Sequence, residues 1–350
     1  MFRQGRLLLS TIVKPSFKNS SNFRSSNGKQ INCAEIKIPV PWGHVAGKWW
    51  GPTDIRPILA IHGWQDNCGT FNRLLPLITQ DVGFLAIDLP GHGYSSHIPD
   101  GFYYHNINYM ILVQRLVNYF KWPQVSLLAH SLGGSIAFLY AIINPQNVDL
   151  LICLDHVKPF IKNKIISTNS KTISKFLQYE ELERQNIEPP AYTMEEIKQK
   201  ISSSLGGSVA YEHSHHLAER NVAPSKSQPG KYYFTRDPRL KETELINWRQ
   251  EDLVSGARRV RCPVFIAKAI DGICFEEAKN VHEVVDALKE SGNCELHTLE
   301  GTHHFHLNNP EVLAGLIKKF LEQHRSDRSV GGIKGEMIVS GRHKLQELHF

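Results

Sequence analysis

The sequence predicts an α/β protein in which helices cover both faces of a mostly parallel sheet. Three observations carry this expectation. Short, wholly apolar runs at Ile58–Ile61, Phe84–Ile87 and 264–267 have the length and composition of strands buried on both sides. Segments with apolar residues at helical spacing alternate with them, as at Asn106–Phe120, where Ile107, Met110, Ile111, Val117 and Phe120 recur. The first two of these strands end in glycine-containing loops, where an open α/β sheet places its chemistry.

Taken in order, residues 36–40 and 44–50 read as two opening strands joined by the turn Pro41-Trp42-Gly43. The strand Ile58–Ile61 follows, then a helix over 70–79, the strand Phe84–Ile87 and the helix Asn106–Phe120. A strand over 125–130 runs straight into a helical pattern, and 149–154 is the next strand. The rhythm then breaks. Residues 159–245 are polar, with helical patterns at 171–185 and 193–203, the second opened by a capping box of Thr193 and Glu196. Alternation resumes with a strand at 264–267, a helix over 276–289 and a strand over 295–299. A terminal amphipathic helix begins at Pro310, with Leu313, Leu316, Ile317, Phe320 and Leu321 on one face. The expected organisation is a core of 30–158 and 246–325 with a helical cap, 159–245, inserted into it. Flexible segments flank the core at 1–29 and 326–350.

Composition narrows the function classes. Of 350 residues, 41% are hydrophobic, and no apolar run reaches the ~18 residues of a membrane span. The net charge of +6 is local: Arg3, Arg6, Lys14, Lys18, Arg24 and Lys29 all precede the first acidic residue, Glu35. Without them the chain holds 34 basic and 34 acidic residues, so a nucleic-acid-binding surface is not expected. Residues 1–29, rich in Arg, Lys and Ser and free of acid, have the composition of a mitochondrial transit peptide; the alternative is a plain tail on a cytoplasmic protein. The six cysteines are scattered, with no C-x-x-C pair and no compact disulfide framework.

The chemistry concentrates at His130-Ser131-Leu132-Gly133-Gly134, where an apolar strand ends on a serine and a helix begins at once. Such a turn lifts the hydroxyl off the sheet edge, near the positive end of the helix. The usual G-x-S-x-G pattern begins here with Ala129, whose methyl group is expected to strain the turn. A serine nucleophile needs a base, an acid to orient the base, and donors for the oxyanion. His303, first after the turn that follows the last strand, is the expected base, with His304 and His306 as competitors. Asp271, just past the 264–267 strand and followed by Gly272, is the expected acid; Asp155, at the end of the strand after the elbow, is the alternative. Leu132 and Trp64 are the expected oxyanion-hole donors, with Gly63 allowing close backbone approach. His62 and Asp88 read as scaffolding. No metal site is expected, because no carboxylate or cysteine pair stands near the histidine cluster in sequence.

Together, His62-Gly63-Trp64-Gln65-Asp66-Asn67, Asp88-Leu89-Pro90-Gly91-His92-Gly93, the Ser131 elbow and Gly301-Thr302-His303 resemble the α/β-hydrolase fold. Within it they are most similar to the serine hydrolase-like protein group, over about residues 31–325. The resemblance implies a Ser131, Asp271 and His303 triad hydrolysing an ester-like bond of a small molecule, with no cofactor. A serine at the elbow argues against dehalogenase and epoxide hydrolase chemistry, which use an aspartate there. The expectation is therefore acyl transfer to water from a carboxylic ester or thioester. The alternatives are carbon–carbon hydrolysis by the same triad, or a hydrolase fold that only binds a ligand. Tyr192, Tyr211, Tyr232, Tyr233 and Phe234 of the insertion are candidates to line an apolar acyl pocket.

Overall fold

A computed structural model describes residues 16–19, 23–24, 30–79, 81–162, 165–185, 187–242 and 245–325. Apart from 16–19 and 23–24, the basic segment 1–29 lies outside the described residues, and so does the tail 326–350.

Among the described residues nine strands form the main sheet: β1 (Ser16–Asn19), β2 (Cys33–Val40), β3 (Gly43–Trp50), β4 (Ile58–Ile61), β5 (Phe84–Ile87), β6 (Val125–His130), β7 (Val148–Leu154), β8 (Val264–Asp271) and β9 (Cys294–Thr302). Their spatial order is β1-β2-β3-β5-β4-β6-β7-β8-β9. The β1, β2 and β3 pairings are antiparallel, and every pairing from β5 to β9 is parallel. Every residue of β4, β5 and β6 is buried, because helices cover both faces and no side of these strands meets water.

One face packs under α1 (Asn106–Phe120), α2 (Leu132–Ile143), α6 (Gln250–Ala257) and α7 (Ala278–Glu290), around Leu127, Phe138, Leu139 and Leu253. The other is covered by residues 68–78 and by α8 (Glu311–His324), whose Leu313, Ile317, Phe320 and Leu321 point inward as their spacing predicts.

Two expectations shift. The helix expected over 70–79 is a 3-10 turn, Cys68–Phe71, and a single helical turn, Leu75–Ile78. Pro76 lacks an N–H and its ring collides with a preceding carbonyl, so no helix runs through it from residue 70. In α1 the boundaries agree but the buried stripe is Tyr109, Met110, Leu112, Val113, Leu116 and Val117, leaving Ile107 and Ile111 exposed.

Between β7 and β8 the chain contributes no strand to the main sheet among its described residues. It carries α3 (Ile165–Arg184), α4 (Met194–Ser203) and α5 (His215–Asn221), with a small core around Ile197, Ile201, Val209 and Leu217. The Thr193–Glu196 capping box starts α4 as its sequence predicts. The segment is tied to loops at the C-terminal strand ends. Asn67 Nδ2 donates to the Leu217 carbonyl (2.9 Å) and Trp64 Nε1 to the Leu240 carbonyl (2.7 Å). Arg220, itself buried, pairs with Asp88 at 2.7 Å and also with Glu35. Gly69 lies so close to α5 that a Cβ there would be 2.1 Å from the His216 carbonyl oxygen.

Candidate active site

The local sequence after β6 holds the Ser131 hydroxyl above the strand end at some conformational cost. Ser131 has φ 53° and ψ −117°, a region that side chains rarely adopt, strained by ~1–3 kcal/mol. The two glycines that follow let α2 start hard against neighbouring strand ends. A Cβ on Gly133 would be 2.2 Å from the Ile61 carbonyl oxygen, and one on Gly134 2.0 Å from that of His156. Ala129, by contrast, is an ordinary strand residue paired with Ile61 and Cys153, its methyl group in the core. The expected strain falls on Ser131 and not on Ala129, which is absent from the positive-φ positions.

Three strand ends converge there. Ser131 Oγ is 2.9 Å from His303 Nε2, and His303 Nδ1 is 2.5 Å from Asp155 Oδ2. All three residues are buried. Burial lowers the His303 pKa, the hydrogen bond to Asp155 opposes this, and the neighbouring His304 adds to the lowering, so the ring is neutral at rest. A neutral ring that donates from Nδ1 to a carboxylate presents its Nε2 lone pair to the serine hydroxyl.

The acid beside His303 is Asp155 and not Asp271. Asp271 is exposed at the end of β8, paired through its backbone with Thr302, and has no hydrogen bond or ion pair with His303 among the described residues. The end of β8 and the turn that follows it instead hold Asp155 in place. Asp155 Oδ1 accepts from Lys268 Nζ (2.7 Å) and from the Ala269 N–H (2.9 Å). Gly272 makes room for the carboxylate, since a Cβ there would be 2.3 Å from Oδ1. Asp155 also takes a positive φ of 59°, which aspartate tolerates better than most side chains.

Trp64 and Leu132 both line a cavity of about 240 Å³ at Ser131, and among the described residues neither backbone N–H has a protein acceptor. Gly63 brings the Trp64 backbone close, for a Cβ at 63 would be 3.1 Å from that of Ser131. The rest of the wall is largely apolar, including Tyr109, Phe160, Leu205, Leu240 and Phe275. Tyr192 and Phe234 line an adjoining chamber of about 370 Å³ that shares Trp64 and Leu205. Tyr232 packs on the core of the inserted segment and Tyr211 is exposed, so the expected aromatic set is not what surrounds Ser131.

The remaining polar residues brace these loops. His62 accepts from the Leu89 N–H at Nε2 and contacts the Gly63 carbonyl from Nδ1, joining the loops after β4 and β5. Asp88 accepts from the Cys68 and Tyr94 N–H groups and from Arg220. His306 is bound at Nε2 to Thr70 Oγ1, and His304 at Nδ1 to Ser208 Oγ, so neither competitor reaches Ser131.

The chain belongs to the alpha/beta hydrolase fold family, which matches it over residues 56–249. It is 38% identical over 293 residues to a Drosophila melanogaster protein named "Probable serine hydrolase", covering 83% of this chain and 88% of that one. A Danio rerio "Serine hydrolase-like protein" is 32% identical over 320 residues, 90% of this chain and 96% of the relative. Among solved structures, a hypothetical protein from Pseudomonas aeruginosa superposes with a TM-score of 0.70 at 27% identity, covering 84% of this chain and 99% of its own. No helix among the described residues is long and apolar enough to cross a membrane.

Proposed function

We propose that this protein is a serine hydrolase that cleaves carboxylic ester or thioester bonds of small molecules carrying an apolar acyl group. The observation that carries the reading is the continuous hydrogen-bonded chain Ser131–His303–Asp155 opening onto a largely apolar cavity. Ser131 Oγ attacks the acyl carbon while His303 Nε2 takes its proton. Asp155 keeps the Nδ1 hydrogen in place and stabilises the imidazolium that forms. The backbone N–H groups of Leu132 and Trp64 receive the negative charge developing on the carbonyl oxygen. His303 then protonates the departing alcohol or thiol, leaving an acyl group on Ser131. A water molecule, deprotonated by the same ring, releases the acid.

The inserted segment of 159–245 serves in this scheme as the cap that sets substrate range, since Phe160, Leu205, Leu240 and Glu242 all face the cavity. Two names among the relatives, "Probable serine hydrolase" and "Serine hydrolase-like protein", support the class of chemistry. The test is labelling by a fluorophosphonate probe in wild-type protein and in Ser131→Ala, followed by turnover of p-nitrophenyl esters and acyl-CoAs of graded chain length. Labelling confined to the wild type is expected. Failure of the wild type to label would overturn the proposal.

A further inference from the structure

Beside the Ser131 site, a second group of buried side chains has polar atoms left over. Asp66 lies after β4, His130 is the last residue of β6 and His304 follows β9; all three are almost solvent-free. Asp66 Oδ2 is 3.8 Å from His130 Nδ1 and 3.7 Å from His304 Nε2. One donor atom from each residue falls within 4.8 Å of the other two. Asp66 Oδ2 and His130 Nδ1 are buried and have no hydrogen-bond partner among the described residues.

The tautomer of His130 makes this arrangement informative. Its Nε2 is 3.0 Å from the His303 carbonyl oxygen, which can only accept, so Nε2 carries the hydrogen and Nδ1 of the neutral ring is a lone pair. A lone pair and a carboxylate oxygen therefore face one another across 3.8 Å, too far apart for a hydrogen bond. A carboxylate buried in this way is costly unless a positive charge compensates it. Nothing on the reacting side does so, since Ser131 Oγ and His303 Nε2 are already engaged with each other.

We propose that Asp66, His130 and His304 form a binding site for a first-row divalent transition metal, best matched by Zn²⁺. Two imidazole nitrogens and one carboxylate oxygen suit zinc and disfavour calcium or magnesium, which take oxygen ligands. Bonds of ~2.1 Å in a tetrahedron put ligand atoms about 3.4 Å apart, so the Asp66 separations of 3.7 and 3.8 Å need shifts of tenths of an ångström, and the two histidine nitrogens, within 4.8 Å of each other, close by side-chain rotation. Each ligand is also held from behind. His130 donates to the His303 carbonyl, His304 Nδ1 meets Ser208 Oγ at 2.8 Å, and Asp66 Oδ1 accepts the Asn67 N–H at 2.9 Å.

The surroundings leave room for an ion and a way in. Asp66 and His304 line the 370 Å³ chamber, so a fourth ligand, water or a small anion, approaches from that side. A Cβ at residue 63 would be 3.0 Å from His130 Nδ1, and glycine there keeps that nitrogen uncrowded. The ion would join the ends of β4, β6 and β9, and Ser208 would connect it to the inserted segment. Since the ligands scatter so widely along the chain, no metal motif marks them in the sequence.

The test strips wild-type protein with chelator, equilibrates it with Zn²⁺ or Co²⁺, counts bound metal by mass spectrometry and follows thermal unfolding with and without metal. The expected result is one equivalent of zinc, visible Co²⁺ bands of four-coordinate strength, and a zinc-dependent rise in Tm. Asp66→Asn and His304→Gln should each weaken binding by at least ~10- to 100-fold and abolish the rise. Ser131→Ala should bind as wild type does, which separates this site from the hydrolytic reading. Should Asp66→Asn fail to fold, His304→Gln at the chamber wall decides. Absence of stoichiometric binding, or binding unaltered in the variants that fold, as uptake by an exposed histidine such as His215 would give, overturns the proposal.

Discussion

Replacing Asp155 by Asn tests the orienting role of that carboxylate more sharply than removing it does. Oδ1 of Asp155 accepts two donors, Lys268 Nζ and the Ala269 N–H. An asparagine there must turn its oxygen toward the same two donors, which leaves its NH₂ where Oδ2 was, 2.5 Å from His303 Nδ1. Nδ1 then has to accept, the ring hydrogen moves to Nε2, and Nε2 can no longer take the serine proton. A wrong tautomer of this kind in a Ser-His-Asp site costs about 10⁴ in kcat, or ~5 kcal/mol of transition-state stabilisation. Asp271→Asn, exposed and out of contact, should stay within about twofold of wild type, as ordinary surface changes do. The rate of fluorophosphonate labelling reads the difference without requiring the natural substrate, and a Tm within a few degrees of wild type shows the loss is not unfolding. If Asp155→Asn labels within tenfold of wild type, or Asp271→Asn falls as far, the reasoning is wrong.

Three further outcomes follow from the same geometry. Gly272→Ala places a methyl 2.3 Å from Asp155 Oδ1, so labelling should slow by roughly tenfold or more with the fold retained, as circular dichroism would verify. Because alanine keeps the strain of φ 53° and glycine does not, Ser131→Gly should unfold later than Ser131→Ala by ~1 kcal/mol in urea titrations; the reverse order would remove the case for strain. Burial raises the Asp88 pKa, but Arg220 and the Cys68 N–H outweigh it and hold the carboxyl at about 2, below its ordinary 3.8. A depressed carboxylate contributes stability above pH 3.8 and loses it as pH falls toward 2. Asp88→Asn should therefore lack about 2 kcal/mol of the acid-dependent loss that wild type shows across that window, measured by urea unfolding at stepped pH.

Ser131 and His303 were readable because each is marked locally, one by a strand running into Gly133-Gly134 and the other by Gly301 after the last strand. The chain order favours Asp271 over Asp155, because an acid in this order normally sits after the later strand, and Gly272 follows it. That glycine does belong to the site, but as the space into which the Asp155 carboxylate fits. Only the packing of β7 against β8 shows this, and no pattern within either strand records it. Pro76 breaks the helical pattern of 70–79, although the apolar spacing around it continues. The Asp66–His130–His304 cluster brings three strand ends together, and nothing in the spacing of those residues anticipates it.

With the acid carried on β7, the loop after β8 has no group that must reach a reacting atom. What holds the acid in place is the Lys268 ammonium and the Ala269 amide at the end of β8, and in the loop only the bare α-carbon of Gly272. Beyond these, Phe275 faces the chamber at Ser131 and the ring of His303, while Cys274 lines a separate cavity of about 170 Å³ beside Asp155. A loop grafted from Cys274 onward would therefore reshape the chamber at Ser131 while keeping the hydrogen bonds that link Ser131, His303 and Asp155 and the groups that hold Asp155.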